Sequence, residues 1–78
     1  MKTLVRPERY DPDLDVPTWH VLGTDGQPLA GAERLGSRWV PFVFRRSGQR
    51  SAPLYSLAAE TRDRALLNAE WEANHRFS

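Results

Sequence analysis

The sequence predicts an α+β fold, in which a small antiparallel sheet of about three strands packs against one C-terminal helix. Aromatic and β-branched residues lie on both sides of Ser47-Gly48, a pattern typical of a β-hairpin. From Glu60 to Arg76, small apolar residues recur at helical spacing, and residues 64–73 contain no glycine, proline or β-branched residue. A hairpin followed by a helix in a chain of 78 residues indicates one domain of the α+β class.

Residues 1–17 are predicted to form an extended, proline- and aspartate-rich arm, followed by a single α+β domain over residues 18–78. Each proline of the arm removes a backbone donor and favours an extended conformation in the residue before it; these prolines are Pro7, Pro12 and Pro17. We expect the arm to be ordered only if its larger apolar side chains find a surface. Those side chains are Tyr10, Leu14 and Val16.

The first strand is predicted at Thr18–Leu22. It is closed by the turn residues Gly23–Gly26, because the glycines and the aspartate among them tolerate positive φ. The next segment, Gln27–Ser37, stays unassigned. A proline and a glycine in its first half fit a strand poorly, and its second half, Ala32–Leu35, is compatible with a short helical turn.

The hairpin is predicted to join a strand at Arg38–Arg45 to a second strand at Arg50–Ser56. With Ser47-Gly48 as a two-residue loop, the register pairs Phe44 with Ser51, Phe42 with Pro53 and Val40 with Tyr55. Both faces are then apolar, so one packs on the helix and the other requires a cover from the arm, the first strand or a partner. Each strand contains a proline, which indicates edges or bulges; the two are Pro41 and Pro53.

The predicted helix has two apolar faces and an N-cap at Ser56 or Thr61. The face toward the sheet is mostly alanine, which lets the helix lie close; it comprises Ala58, Ala65, Leu66, Ala69, Ala73 and Phe77. On the nearly opposite side Leu67 and Trp71 pack together, and the residues beside them are Arg64, Asn68 and His75. If the predicted helical register is correct, the position of Leu67 and Trp71 has two interpretations. Either the N-terminal arm covers the pair, or the pair is a protein-binding hot spot.

Composition narrows the function classes. The net charge is +1, but residues 31–53 hold five arginines against Glu33 alone, so the middle of the chain suits an acidic partner. The sequence has no cysteine and no catalytic, phosphate-binding or metal-ligand motif, so we expect neither an enzyme nor a cofactor or metal site. No apolar run is long enough to cross a membrane, and the start does not resemble a signal peptide. A cytoplasmic location is therefore expected.

One stretch resembles a family of known inhibitors. It reads Trp39…Pro53-Leu54-Tyr55…Ala59-Glu60-Thr61…Ala65-Leu66…Ala69-Glu70-Trp71. This run is similar to the strand-into-helix segment of the small T7-type phage inhibitors of bacterial RNA polymerase and, more loosely, to other phage sheet-plus-helix proteins, including anti-CRISPRs. The resemblance implies a compact protein of phage or mobile-element type that blocks a host protein complex as an inhibitor or adaptor. The resemblance does not assign a function to any individual residue of this sequence.

A second pattern, Trp39-x5-Arg45-x2-Gly48-x-Arg50 before a helix, resembles the sheet-plus-helix unit at the N-terminus of tyrosine recombinases. That resemblance implies DNA binding, with the sheet in the major groove and the arginines of the turn near phosphates or guanine edges. Against it, the open face of the sheet would be apolar and the acidic arm would repel DNA. A structural or assembly role is a third alternative.

Protein binding is the function that the sequence favours. The expected partner is a host protein or complex with an acidic and apolar surface, and a homodimer is an alternative. The candidate contact residues combine tryptophan and arginine, which are enriched at interface centres, with a leucine on the outer side of the predicted helix; they are Trp39, Arg45, Arg46, Arg50, Arg64, Leu67 and Trp71. No membrane partner is expected.

Overall fold

The computed structural model of the protein describes residues 8–10, 12 and 16–77, without the side chains of residues 8, 9, 76 and 77. Within these residues, one antiparallel sheet in the order β1-β2-β3-β4 carries a helix on one face. The strands are β1 (Glu8–Tyr10), β2 (Thr18–Leu22), β3 (Pro28–Leu35) and β4 (Arg38–Val43); a 3₁₀ turn (Tyr55–Leu57) precedes helix α1 (Arg62–Phe77). The predicted α+β class, an antiparallel sheet against a C-terminal helix, is confirmed. The sheet has four strands where about three were expected.

Two of the four strands, β1 and β3, were not predicted, and β1 lies inside the segment predicted as an arm. Its pairing with β2 places Tyr10 opposite Trp19, and the two ring centroids lie 5.6 Å apart. Tyr10 therefore has the apolar surface that ordering of the arm requires. Val16 accepts a hydrogen bond of 2.9 Å from the Thr18 hydroxyl, whereas Leu14 lies outside the described residues.

Strand β2 has the predicted bounds, and β3 fills the segment that the sequence left unassigned, so the helical turn considered for Ala32–Leu35 does not form. The glycine that argued against a strand, Gly31, lies between His20 on β2 and Phe42 on β4. A Cβ added there would lie 2.6 Å from Cζ of Phe42 and 2.6 Å from the carbonyl oxygen of Trp19. The glycine therefore admits a neighbouring ring and does not interrupt the strand.

Two loops of the same construction, Gly23–Gln27 and Arg45–Gln49, lie at one end of the sheet. In each, the N–H of the first residue donates to the carbonyl of the fifth, at 2.8 and 2.7 Å, and the N–H of the fourth donates to the carbonyl of the first, at 3.0 and 2.8 Å. The fourth residue is a glycine with positive φ, 80° at Gly26 and 87° at Gly48. Each loop thus holds three residues between its closing pair, a type I turn followed by a left-handed glycine.

This loop length overturns the predicted hairpin register. A two-residue loop at Ser47-Gly48 is wrong, and the extra residue makes Phe44 pair with Arg50 instead of Ser51. The predicted second strand over residues 50–56 is also wrong, because these residues form no continuous strand. If the observed register continued, Pro41 would lie opposite Pro53. Neither proline has an N–H, so neither of the two hydrogen bonds between these residues could form.

Residues 51–59 instead cover the outer edge of β4. The backbone hydrogen bonds that close this edge run from Ser51 N–H to the Val43 carbonyl (2.7 Å), from Leu54 N–H to the Pro41 carbonyl (2.8 Å), and in both directions between Trp39 and Ala59 (2.8 and 2.9 Å). The expectation that Pro41 belongs to an edge strand is confirmed. Tyr55 is not opposite Val40, because it lies in the 3₁₀ turn and is 67% exposed.

Helix α1 covers nearly the predicted span, and Thr61 is its N-cap: the Arg64 N–H donates to the Thr61 hydroxyl at 3.3 Å. The other candidate cap, Ser56, lies in the 3₁₀ turn. The predicted alanine face packs on the sheet, and its members within the helix are at most 2% exposed: Ala65, Leu66, Ala69 and Ala73. They contact a core of small sheet residues, Val21, Ala30, Ala32 and Val43. Ala58 precedes the helix and is partly exposed, and the side chain of Phe77 is not described.

Replacing Gly31 with alanine should lower the free energy of unfolding by about 1–3 kcal/mol, the usual cost of forcing a methyl group into a packed interior. The new Cβ would press on the fixed carbonyl of Trp19 as well as on the ring of Phe42. Urea unfolding followed by circular dichroism measures this loss. The control is Gly26→Ala, where a Cβ meets nothing within 4 Å and only the positive φ opposes it, at about 1 kcal/mol. Wild-type stability for Gly31→Ala would contradict the packing described.

Candidate functional site

The side of α1 that faces away from the sheet exposes two large apolar side chains. Leu67 is 44% exposed and Trp71 is 57% exposed, so the prediction that this pair faces away from the sheet is confirmed. The indole of Trp71 stacks on the imidazole of His75, with ring centroids 4.4 Å apart and an interplanar angle of 19°. The described strand of the arm, β1, lies beside β2 and contacts Trp19, not this pair.

The outermost residues of α1 form a continuous stripe. At 100° per residue, Arg64, Leu67, Trp71 and His75 all lie within about 40° of one direction. We call these four residues the outer stripe; it carries an arginine and no carboxylate. A shallow depression of about 400 Å³ follows it, bordered by Asn68, Glu70 and Asn74 as well as by three members of the stripe. The outer stripe therefore offers a partner apolar area, one flat ring and a positive charge.

The 3₁₀ turn lies beside this helix because the Asn68 side-chain amide donates to the Leu57 carbonyl at 3.0 Å. The turn adds a further exposed aromatic residue, Tyr55. The sequence placed Tyr55 in a hairpin strand, so its exposure was missed. The available signal that this strand would end was Pro53, which has no N–H to donate to a strand partner.

The sheet face that α1 does not cover is closed around aromatic rings. Phe42 is fully buried, and its ring packs edge-on against His20 and Phe44, with centroids 6.0 and 5.5 Å away. The guanidinium of Arg50 lies 3.8 Å from the centroid of the Phe42 ring and pairs with the buried Glu33 carboxylate at 2.5 Å. Arg50, predicted as a partner contact, is thus engaged within the fold.

Trp39 is also less available than predicted. Its ring is partly buried and packs against the hydrophobic core, and its backbone is bonded to Ala59 on the covered edge of β4. Trp19 packs on the same core and lies under the guanidinium of Arg62, which is 4.3 Å from the ring centroid. Of the three tryptophans in the chain, Trp71 alone is exposed in the structure.

Arg45 and Arg46 belong to the second of the two similar loops and are exposed. With Pro28, Leu29 and Phe44 they line a cleft of about 240 Å³ at the end of the sheet. A second depression of about 410 Å³ overlaps it and adds Gln27 and Gly48 to the same lining residues. The sequence pattern indicates the arginines but not the apolar floor, because Pro28 and Leu29 belong to the segment for which it predicts no structure.

The five arginines of residues 31–53 do not form one patch. Arg34 and Arg38 flank the turn between β3 and β4, at the opposite end of the sheet from Arg45 and Arg46. The seven residue-to-residue steps from Arg38 to Arg45 span roughly 20 Å of extended chain, well beyond the ~8 Å screening length at physiological salt. Arg50 is paired with Glu33. The sequence therefore overstates the concentration of positive charge.

Residues 8–10, 12 and 16–77 contain no group of three histidine, cysteine, aspartate or glutamate side chains arranged to hold a metal ion. Within the same part of the chain, α1 lacks the length and apolar character needed to cross a membrane. No family model matches the sequence, and no curated protein or solved structure matches it significantly.

Proposed function

We propose that the protein is a non-catalytic protein-binding module that contacts its partner through the outer stripe of α1. The observation that carries this proposal is the exposure of Trp71, at 57%, on a helix whose other face already packs on the sheet. Tryptophan and arginine are the residues most enriched at the energetic centres of protein interfaces, and the stripe holds both.

Contact at the stripe has a favourable energy balance. A tryptophan buries on the order of 150–250 Å² in an interface. At about 25 cal/mol per Å², the exposed parts of Trp71 and Leu67 together supply several kcal/mol. The stack on His75 holds the indole in one orientation before binding, which reduces the entropy lost on association.

The chemistry of the stripe also defines the partner. Arg64 is the arginine of the stripe, which carries no carboxylate, so the complementary surface is apolar with a carboxylate opposite Arg64. An inhibitor or adaptor of phage or mobile-element type, acting on a host complex in the cytoplasm, would use such a surface. That part of the proposal is supported only by the sequence resemblance to phage inhibitors.

DNA binding through the arginine-rich loop is the second candidate. It has less support, because the arginines are divided between two ends of the sheet and Arg50 is paired with Glu33. Affinity for DNA depends on neutralising many phosphates at once. An assembly role, with a second copy docked on the outer stripe, is the third candidate. Analytical ultracentrifugation would favour it if wild type is a dimer and Trp71→Ala is a monomer.

Replacing Trp71 with alanine should weaken partner binding by about 30-fold or more, the equivalent of a hot spot of 2 kcal/mol. The free energy of unfolding should stay within about 0.5 kcal/mol of wild type, because the side chain is exposed and alanine favours a helix. The partner is first captured from host lysate and identified by mass spectrometry. Its affinity for each purified variant is then measured by calorimetry.

Two arginine variants provide the matched control for this experiment. Arg64→Ala, in the stripe, should also lose affinity, whereas Arg38→Ala, exposed at the far end of the sheet, should retain it. Unchanged affinity in Trp71→Ala would place the binding surface elsewhere. A large fall in its melting temperature would instead show that Trp71 belongs to the core.

A further inference from the structure

We propose that the cleft between the two similar loops, Gly23–Gln27 and Arg45–Gln49, binds an extended acidic segment of a partner protein. One apolar side chain of that segment lies on the floor of the cleft, and its carboxylates pair with Arg45 and Arg46. This site is separate from the outer stripe of α1, and the inference does not depend on the proposed function.

The open shape of the cleft fits a side chain better than a cofactor. The cleft consists of two overlapping depressions of about 240 and 410 Å³, both open to solvent, whereas small-molecule sites enclose most of their ligand. The floor consists of Pro28, Leu29 and Phe44, which present no charge. The larger depression extends to Gly48, on the loop that holds both arginines. A partner segment can therefore place one side chain inside while its backbone runs along the rim.

The arginines of the cleft have no internal counter-charge. Within the described part of the chain, Arg45 and Arg46 take part in no ion pair or cation–π contact. Arg50 and Arg62 differ, since each pairs with a carboxylate and lies over an aromatic ring. The carboxylate of the facing loop, Asp25, accepts a hydrogen bond of 3.0 Å from Gln27 N–H in its own loop. Two guanidinium groups are thus free to bind an external anion.

Both walls of the cleft are already shaped for binding. Each loop is closed by two backbone hydrogen bonds, and Phe44 N–H donates to the Leu29 carbonyl at 3.0 Å, which fixes the floor between them. Phe44 is further held by edge-on contacts to His20 and Phe42. A preformed site loses little conformational entropy when it binds, so a short peptide segment can bind with a favourable free energy.

An acidic peptide fits this cleft better than a nucleic acid does. Two arginines neutralise at most about two phosphates, which gives weak, strongly salt-dependent binding. The proline and leucine of the floor offer no flat ring for a base, and the ring of Phe44 is engaged edge-on by its neighbours. A peptide uses the whole site, because its apolar side chain and its carboxylates each have a complement.

The test uses the full chain, labelled with ¹⁵N, and a synthetic peptide of glutamates around one central leucine. Amide shifts on titration should concentrate at Gln27, Leu29 and residues 44–48. Fluorescence anisotropy should show that the double variant Arg45→Ala/Arg46→Ala weakens binding at least about tenfold, the loss expected for removing both carboxylate partners. A peptide with glycine in place of leucine, or glutamines in place of glutamates, should also bind at least about tenfold more weakly.

The matched control is Arg34→Ala/Arg38→Ala, which removes the same charge from the other end of the sheet and should leave affinity unchanged. An equal loss in this control would overturn the proposal, because it would show a general charge effect. Absence of shifts at the cleft with millimolar peptide would also overturn it. So would an oligothymidine that shifts the same amides and binds more tightly than the peptide, since the cleft would then be a nucleic-acid site. Trp71→Ala should bind the peptide as wild type does, which keeps this result independent of the outer stripe.

Discussion

Replacing Phe42 with alanine is expected to lower the free energy of unfolding by about 3–5 kcal/mol. The side chain is fully buried and contacts His20, Phe44 and Arg50, which would line the resulting cavity together. Loss of the ring also removes the aromatic support under the guanidinium that pairs with the buried Glu33. A domain of this size has a total stability of roughly 4–12 kcal/mol, so the variant should be close to unfolding at 37 °C.

Urea unfolding followed by circular dichroism measures the Phe42 effect. The control is Tyr55→Ala, which removes an aromatic side chain that is 67% exposed and should change stability by less than about 0.5 kcal/mol. If Phe42→Ala lost less than about 1 kcal/mol, the sheet face opposite α1 would not be the second core that the structure shows.

Replacing Leu66 with alanine is expected to cost about 2–5 kcal/mol. Leu66 is the largest buried side chain on the sheet-facing side of α1 and is surrounded there by alanine and valine residues. These small neighbours cannot move inward to fill the space, so most of the cavity should persist. In a domain of this size, each kcal/mol lowers the melting temperature by about 4–8 °C.

The adjacent residue supplies the control for this prediction. Leu67→Ala makes the same chemical change one position along the helix, at a side chain that is 44% exposed, and should cost less than about 1 kcal/mol. Differential scanning calorimetry of the two variants compares the faces of α1 directly. Similar melting temperatures for both would show that the helix does not pack on the sheet through the alanine face.

The parts of this fold that could be predicted from sequence depend on local signals. The bounds of β2, the cap at Thr61 and the two faces of α1 follow from turn residues, a side-chain hydroxyl and a helical period. Strand β3 was not predicted because it contains Gly31. This glycine is required by the packing of Phe42, which lies eleven residues later in the chain. That contact exists only once the sheet has formed. Judged by its low strand propensity alone, the glycine argues against a strand.

In the candidate site, too, local sequence signals predict some features, while others depend on contacts between distant parts of the chain. Leu67 and Trp71 could be placed on an outer face from helical phase alone, and both are exposed. The sequence could not show which arginines are paired within the fold and which are free. One extra loop residue decides which of them turns toward Glu33. With the three-residue loop, Arg50 pairs with that carboxylate, while Arg45 and Arg46 stay in the solvent-exposed loop.

The covered edge of β4 limits how a partner can recognise this protein. With the carbonyl groups of Trp39, Pro41 and Val43 already engaged by residues 51–59, no foreign strand can join the sheet on that side by backbone hydrogen bonding. Recognition there must rely on side chains, which mutation can exchange one at a time without disturbing the scaffold. Under the proposed binding function, a few surface substitutions would change the target while the sheet stays the same.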